Sequence, residues 1–208
     1  MTSTAPAIIL ASTSPARARL LKNALIPFQV QPSSVDEESE LARHIEVYGK
    51  PSSADEALFL ATLKAEAVAS ETAGALVIGC DSVFEIEGMS YGKPYTIDET
   101  VRRWSLMSGK TGILHTGQVV IDTRTVNLRS SRIVSTEVRF ADVTPEEALA
   151  YAQTGEPLQC AGAFTLDGRG STFVAGIRGD ANAVIGISTA ALRDQFLELG
   201  YSVPLMTL

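Results

Sequence analysis

Several residues have the type and the setting to do chemistry on an anion. Asp81 stands inside an apolar run, Leu76-Val77-Ile78-Gly79-Cys80-Asp81-Ser82-Val83-Phe84, that is apolar enough to be a central strand. A carboxylate there is costly without a cation, strong hydrogen bonds or a cleft. The plain structural alternative is a strand-end Asp that accepts from a nearby backbone amide. Lys64 lies among alanines at the edge of a helical stripe. It either snorkels past the core or aims into a cleft to meet an anion. Carboxylates crowd Val35-Asp36-Glu37-Glu38-Ser39-Glu40, after a strand end. They read as a solvated acidic loop, or as a source of one carboxylate for a divalent cation. Mg²⁺ takes one or two protein carboxylates and completes its shell with water and substrate phosphate. Lys93, between Gly92 and Pro94, sits where a flexible and a rigid residue fix a side chain over a neighbouring site.

A further stretch suits phosphate. Ile8-Ile9-Leu10-Ala11 stops at Ser12-Thr13-Ser14, and a helix pattern begins at Pro15. Ser14 is a favoured N-cap, and proline loses nothing at the first helical position. Three hydroxyls and Arg17 therefore crowd a helix N-terminus, whose free N–H groups and partial positive charge attract anions. The bland reading is a capped helix with a solvated arginine.

These residues need elements to carry them, and the chain supplies an alternating pattern. Phe28-Gln29-Val30 reads as a short strand. Ser53-Ala54-Asp55-Glu56 is a capping box with Ser53 as N-cap, opening a helix over about Ala54 to Ala69. Gly88 marks a hairpin turn, and Thr96-Ile97-Asp98-Glu99 is a second capping box, for a helix that buries Val101, Trp104 and Met107. Strands follow near Ile113–Thr123 and Ser131–Phe140. Thr144-Pro145-Glu146-Glu147 opens a helix ending near Gly155, and a last helix runs from about Ala190 to Leu199. Small residues from Cys160 to Gly168 allow another backbone or a flat ligand to come close.

Composition narrows the function further. At 208 residues, 45% hydrophobic and 20% charged, the chain reads as one ordinary globular domain over 1–208. A net charge of −7 argues against a broad nucleic-acid surface. No apolar run reaches a membrane span, and no secretory leader is visible, so a cytoplasmic location is expected. Cys80 and Cys160 read as free thiols. Ser108-Gly109-Lys110-Thr111 superficially matches a P-loop, but position 104 is Trp where that motif needs glycine, and no strand precedes it. His44, in the acidic loop, and His115, in a strand, show no metal-ligand spacing, and His115 reads as structural.

In order along the chain, the pieces resemble the Maf-like nucleoside triphosphate pyrophosphatases from about Ile8 to Leu199. The matching elements are Leu10-Ala11-Ser12-x-Ser14-Pro15-x-Arg17, Asp36-Glu37, Lys64-Ala65, Gly79-Cys80-Asp81-Ser82, Gly92-Lys93-Pro94 and Ser108-Gly109-Lys110. Then come Tyr151…Gly155-Glu156-Pro157, Ala161-Gly162 and Gly179-Asp180…Val184-Ile185-Gly186. Each alone is weak; the ordered set is specific. The resemblance implies an α/β fold, an elongated mixed β-sheet flanked by helices with two lobes around a central cleft. It implies hydrolysis between the α and β phosphates to a monophosphate and pyrophosphate, assisted by a divalent cation, Mg²⁺ or Mn²⁺. In that family's terms Asp81 is the general base and a metal ligand, Glu37 is the second metal carboxylate, and Lys64 and Lys93 serve catalysis. Ser12, Ser14, Arg17, Lys64 and Lys93 bind the triphosphate. The substrate is a nucleoside triphosphate, ordinary or modified, which suggests nucleotide house-cleaning, and a homodimer is expected. The alternative is a nucleotide-binding regulator of cell division with incidental catalysis.

Three positions depart from the family pattern. Ala16 stands where an arginine is usual, Ser82 where many members have Thr, and Asp167 where the pyrimidine-preferring members have Gln. The resemblance gives these positions a part in choosing the base. Asp167 replaces an amide with an acceptor-only group, so no known base preference carries over.

Overall fold

Capping side chains set where the helices begin. In the computed structural model, which describes residues 6–125 and 128–202, Ser14 accepts from the Arg17 N–H at the head of α1 (Pro15–Asn23), with proline in its first turn. Asp36 caps α2 (Glu37–Tyr48), Ser52 caps α3 (Ser53–Ser70) and Thr96 caps α4 (Ile97–Met107). Thr144 and Glu147 form a reciprocal box at α5 (Pro145–Gln153). A short α6 (Ala181–Ile185) precedes α7 (Thr189–Glu198), capped by Ser188. Each such cap contributes about 1 kcal/mol.

Three local expectations change. The acidic stretch is the head of α2 rather than a loop, and His44 lies on that helix. Asp36 accepts from the Ser39 N–H and hydroxyl, and Glu37, Glu38 and Glu40 sit favourably at the helix's positive end. No residue of α2 is fully buried, so it carries no apolar stripe to see in sequence. The cap of α3 is Ser52, one residue early, because Ser53 is itself buried. Glu99 does not return to its N-cap backbone; its carboxylate instead takes both Arg102 and Arg103.

Among the described residues seven strands form a mixed sheet: β1 (Ala7–Leu10), β2 (Gln29–Val30), β3 (Ala75–Ile86), β4 (Met89–Tyr91), β5 (Thr111–Asp122), β6 (Arg129–Phe140) and β7 (Val174–Arg178). The hydrogen-bonded order is β2-β1-β3-β5-β6-β7, with β4 on β3. β1 runs parallel to β2 and to β3, where Ile9 faces Val77. β4 and β7 are antiparallel to β3 and β6. The described chain divides into two units. The first runs to Asp81, returns for Thr116–Val134 and resumes at Gly186; the second is Ser82–His115 and Ser135–Ile185. Strands β3, β5 and β6 each contribute residues to both.

Each unit has its own core. In the first, Ile9, Ala11, Val68, Ala75 and Val77 pack together, beside Ala61, Ala65 and Val119. Gly79 lets α3 press onto β3: a Cβ there would lie 2.2 Å from the Ala61 carbonyl oxygen and 2.7 Å from the Ala65 Cβ. That contact brings Lys64, on α3, to the level of Asp81, two residues beyond Gly79. The second unit is built on aromatic rings, with Phe84, Trp104, Phe140, Tyr151 and Phe164 buried together. Their edge-to-face pairs, such as Trp104 on Phe140 at 5.4 Å, suit the ring quadrupole. No helix among the described residues is long and apolar enough to cross a membrane.

Candidate active site

Lys64 is the centre of a charged cluster in the first unit. Its side chain is only 9% exposed, and its Nζ lies 2.6 Å from Asp81 Oδ1 and 2.9 Å from Glu37 Oε1. The lysine does not snorkel; it joins the strand carboxylate to the acidic stretch at the head of α2. Asp81 is 14% exposed and Glu37 44%, so the trio has one open side. One ammonium between two carboxylates leaves a net negative charge. The donor set suits a hard, oxygen-seeking cation that arrives with phosphate, because two carboxylates are all such an ion takes from protein. Among the described residues no group of three or more His, Cys, Asp or Glu side chains forms a metal cage.

Around the head of α1 the same unit fixes a guanidinium. Arg17 donates from Nε to the Gly186 carbonyl (2.9 Å) and from Nη1 to Ser12 Oγ (3.2 Å), and Ser12 Oγ also accepts the Ser14 N–H (3.2 Å). The buried Cys80 thiol donates to the same Gly186 carbonyl, at 2.9 Å. Burial pushes that thiol's pKa up, which keeps it a donor. Gly186 has φ +144°, an angle that favours glycine, and a Cβ there would come within 3.2 Å of Arg17 Cγ and crowd that side chain. Ala16 is half-buried beside this cluster in the sequence of α1. The first unit therefore gathers Ser12, Ser14, Ala16, Arg17, Glu37, Lys64 and Asp81.

Ser82, Lys93 and Asp167 belong to the second unit, Ser82 half-buried and the other two exposed. Lys93 is held by its backbone. The buried Arg103 guanidinium donates to the Gly92 carbonyl and to the Lys93 carbonyl (3.4 Å), stacks over Tyr91 at 5.4 Å, and is balanced by Glu99 at 2.7 Å. Hydrogen bonds from Arg102, then Arg103, outweigh burial and lower Glu99 to about 2. Asp167 sits in the turn that follows Thr165, and that turn hangs on the carboxylate of Glu156.

Sequence reasoning missed Arg103, and it quoted Glu156 and Gly186 only within matching segments, with no role for either. The Glu99–Arg103 spacing was a visible signal, since four residues apart on a helix is an ion-pair distance. Nothing in the sequence announces that a side chain will bind loop backbone. The P-loop look-alike is set aside: Lys110 Nζ pairs with Glu87 at 2.6 Å, and the Gly109 N–H donates to the Ala141 carbonyl. His115 lies buried, with Nδ1 2.8 Å from Ser135 Oγ.

Comparison with known proteins bears on the family. The Maf profile, described as Maf-like protein, matches residues 7–199. A nucleoside triphosphate pyrophosphatase of Streptomyces coelicolor is 46% identical over 198 residues, 94% of this chain and 92% of that one. One from Synechococcus sp. (strain JA-2-3B'a(2-13)) is 46% identical over 200 residues, 95% and 96% of the two chains. Among solved structures, a HAM1 protein from Coxiella burnetii is 16% identical and covers 76% of this chain and 86% of its own, with a TM-score of 0.43, too slight a likeness to bear on function. A profile match across nearly the whole chain, with relatives this similar along almost their full length, decides the family: the chain belongs to the Maf-like proteins.

Proposed function

We propose that this chain, acting as a single domain over 1–208, is a nucleoside triphosphate pyrophosphatase that hydrolyses its substrate to the monophosphate and pyrophosphate. The observation that carries the proposal is the buried Lys64 ammonium shared by Asp81 and Glu37. The names of the relatives support it. Hydrolysis of a polyanion needs its charge offset and a water oriented, with little covalent work from the protein. Lys64 holds Asp81 through Oδ1, and among the described residues Oδ2 takes no hydrogen bond, so Oδ2 is the oxygen offered to water. Asp81 receives the water proton as general base, the new P–O bond forms on the substrate, and pyrophosphate leaves with the bridging oxygen. Glu37 and Asp81 are the residues that would hold a divalent cation, Mg²⁺ or Mn²⁺. Such an ion offsets phosphate charge and acidifies water.

Arg17, already aimed by Ser12 and Gly186, is assigned to the phosphates together with Ser12, Ser14 and Lys64. Lys93 is assigned to the phosphates, and Ala16, Ser82 and Asp167 to base choice, on the family resemblance. A homodimer rests on it too, and light scattering reads it; a cytoplasmic location is proposed beside it, and cell fractionation reads that. The test is steady-state turnover of ordinary and modified nucleoside triphosphates with Mg²⁺ and with Mn²⁺. Pyrophosphate release supports the reading. Tight binding without turnover would favour the division-regulator alternative, and orthophosphate as product would sink the pyrophosphatase assignment.

A further inference from the structure

Glu156 has no part in the chemistry above, yet both of its carboxylate oxygens are occupied. Oε1 accepts from Tyr151 Oη (3.1 Å), from Thr165 Oγ1 and from the Gly170 N–H (3.1 Å), and Oε2 accepts from the Arg169 N–H (3.1 Å). A carboxylate has about four lone-pair sites, so this one is filled. Three of the donors come from Thr165, Arg169 and Gly170, and they bracket Asp167 on both sides. Gly168 packs flat on the same group, where a Cβ would lie 2.7 Å from Oε1. Tyr151, which also accepts the Thr165 N–H at 3.1 Å, is anchored in the aromatic core against Trp104 and Phe173. Burial alone would raise Glu156, but the hydrogen bonds from Thr165, Arg169, Gly170 and Tyr151 outweigh it and keep the group below the usual carboxylate range. It is therefore acceptor-only at neutral pH.

Asp167 is exposed, so its own burial does not fix the turn. We infer that Glu156 is a positioning residue for substrate selection: it ties the turn from Thr165 to Gly170 to the aromatic core and so sets where Asp167 presents its carboxylate to the nucleobase. This rests on the reading of Asp167 as a base contact. A misplaced acceptor in such a site loses discrimination between bases before it loses the common phosphate chemistry, because only the base contacts differ among substrates.

The test compares kcat/KM for ATP, GTP, CTP and UTP, with Mg²⁺, in the unaltered protein and in Glu156→Gln, Tyr151→Phe, Asp167→Ala and the Glu156→Gln/Asp167→Ala double variant. The amide of Glu156→Gln turns an acceptor into a donor facing a backbone N–H. The ratio of best to worst base should change at least ~5-fold, with kcat on the best substrate within ~3-fold. Tyr151→Phe, which keeps the ring in the core, should move the ratio in the same direction by about 2-fold. The double variant should match Asp167→Ala in its ratio, the non-additivity expected of residues acting as one unit. Equal losses on all four bases in both Glu156→Gln and Tyr151→Phe overturn the proposal. If Asp167→Ala shifts the ratio and neither of the other two does, Glu156 alone is wrongly assigned; if Asp167→Ala leaves it unchanged, the base contact itself is.

Discussion

The Lys64 trio of the first unit is held side chain to side chain, whereas two loops of the second unit are held through their backbone. Lys64 meets Asp81 and Glu37 directly, within 2.9 Å, in a trio of opposite charges with one open side. In the second unit two charged groups spend themselves on loops. Arg103 binds the carbonyls of Gly92 and Lys93, and Glu156 binds the N–H groups of Arg169 and Gly170. The cation takes acceptors and the anion takes donors. The contrast teaches where damage should appear. On the proposed mechanism, removing a member of the trio alters the reacting charges, whereas removing a loop holder alters where an otherwise intact side chain sits.

Substitutions can break or sharpen this contrast. The largest effect belongs to Asp81→Asn, which keeps the shape and loses the base: kcat should fall at least ~10²-fold, as for a general acid–base group. Near-normal turnover would remove Asp81 from the mechanism. Lys64→Ala comes next. It leaves two facing carboxylates without their shared cation, roughly 1.5–3 kcal/mol for the charged hydrogen bond to Asp81. Competition assays should show triphosphate binding weakened more than monophosphate binding, and equal weakening would count against a phosphate role.

Lys93→Ala should follow the same pattern to a smaller extent, because an exposed lysine interacts through a screened field. Gly186→Ala crowds Arg17 and strains the backbone angle, so KM should rise by about 10-fold with little change in kcat. An unchanged KM would mean that Arg17 does not need the Gly186 carbonyl to be aimed.

The smallest effect is one of acid stability. Glu99 is held to about 2 in the folded chain, against an ordinary 4.5. A depressed carboxylate contributes stability above its unfolded pKa, and that contribution fades as pH falls from about 4.5 towards 2. Glu99→Gln should therefore lower Tm at pH 6, and the gap from the unaltered protein should close by pH 2. A gap independent of pH would mean that the charge on Glu99 contributes nothing.

The same contrast explains what could be read in the sequence. Asp81 and Lys64 were visible because charge is out of place in an apolar strand and among alanines, and the structure pairs the two. Ser14 and Pro15 marked the head of α1 because a cap is a local device. α2 was invisible, since a helix with no buried residue has no periodic stripe. The loop-holding roles of Arg103 and Glu156 were missed because their partners are backbone atoms 10 to 14 residues away along the chain, which carry no signature of their own. The division into two units left no linker pattern in the sequence either, and two lobes were expected only from the family resemblance: the chain crosses at Asp81–Ser82, His115–Thr116 and Val134–Ser135, within β3, β5 and β6, and at Ile185–Gly186, at the end of α6.

The central claim is that the Lys64 trio serves cleavage between the α and β phosphates. The direct measurement is product analysis of nucleoside triphosphate hydrolysis with Mg²⁺, in the unaltered protein and in Asp81→Asn. The expected result is monophosphate and pyrophosphate in equal amounts, nearly abolished by Asp81→Asn. Nucleoside diphosphate with orthophosphate, or undiminished pyrophosphate release from Asp81→Asn, would contradict the account.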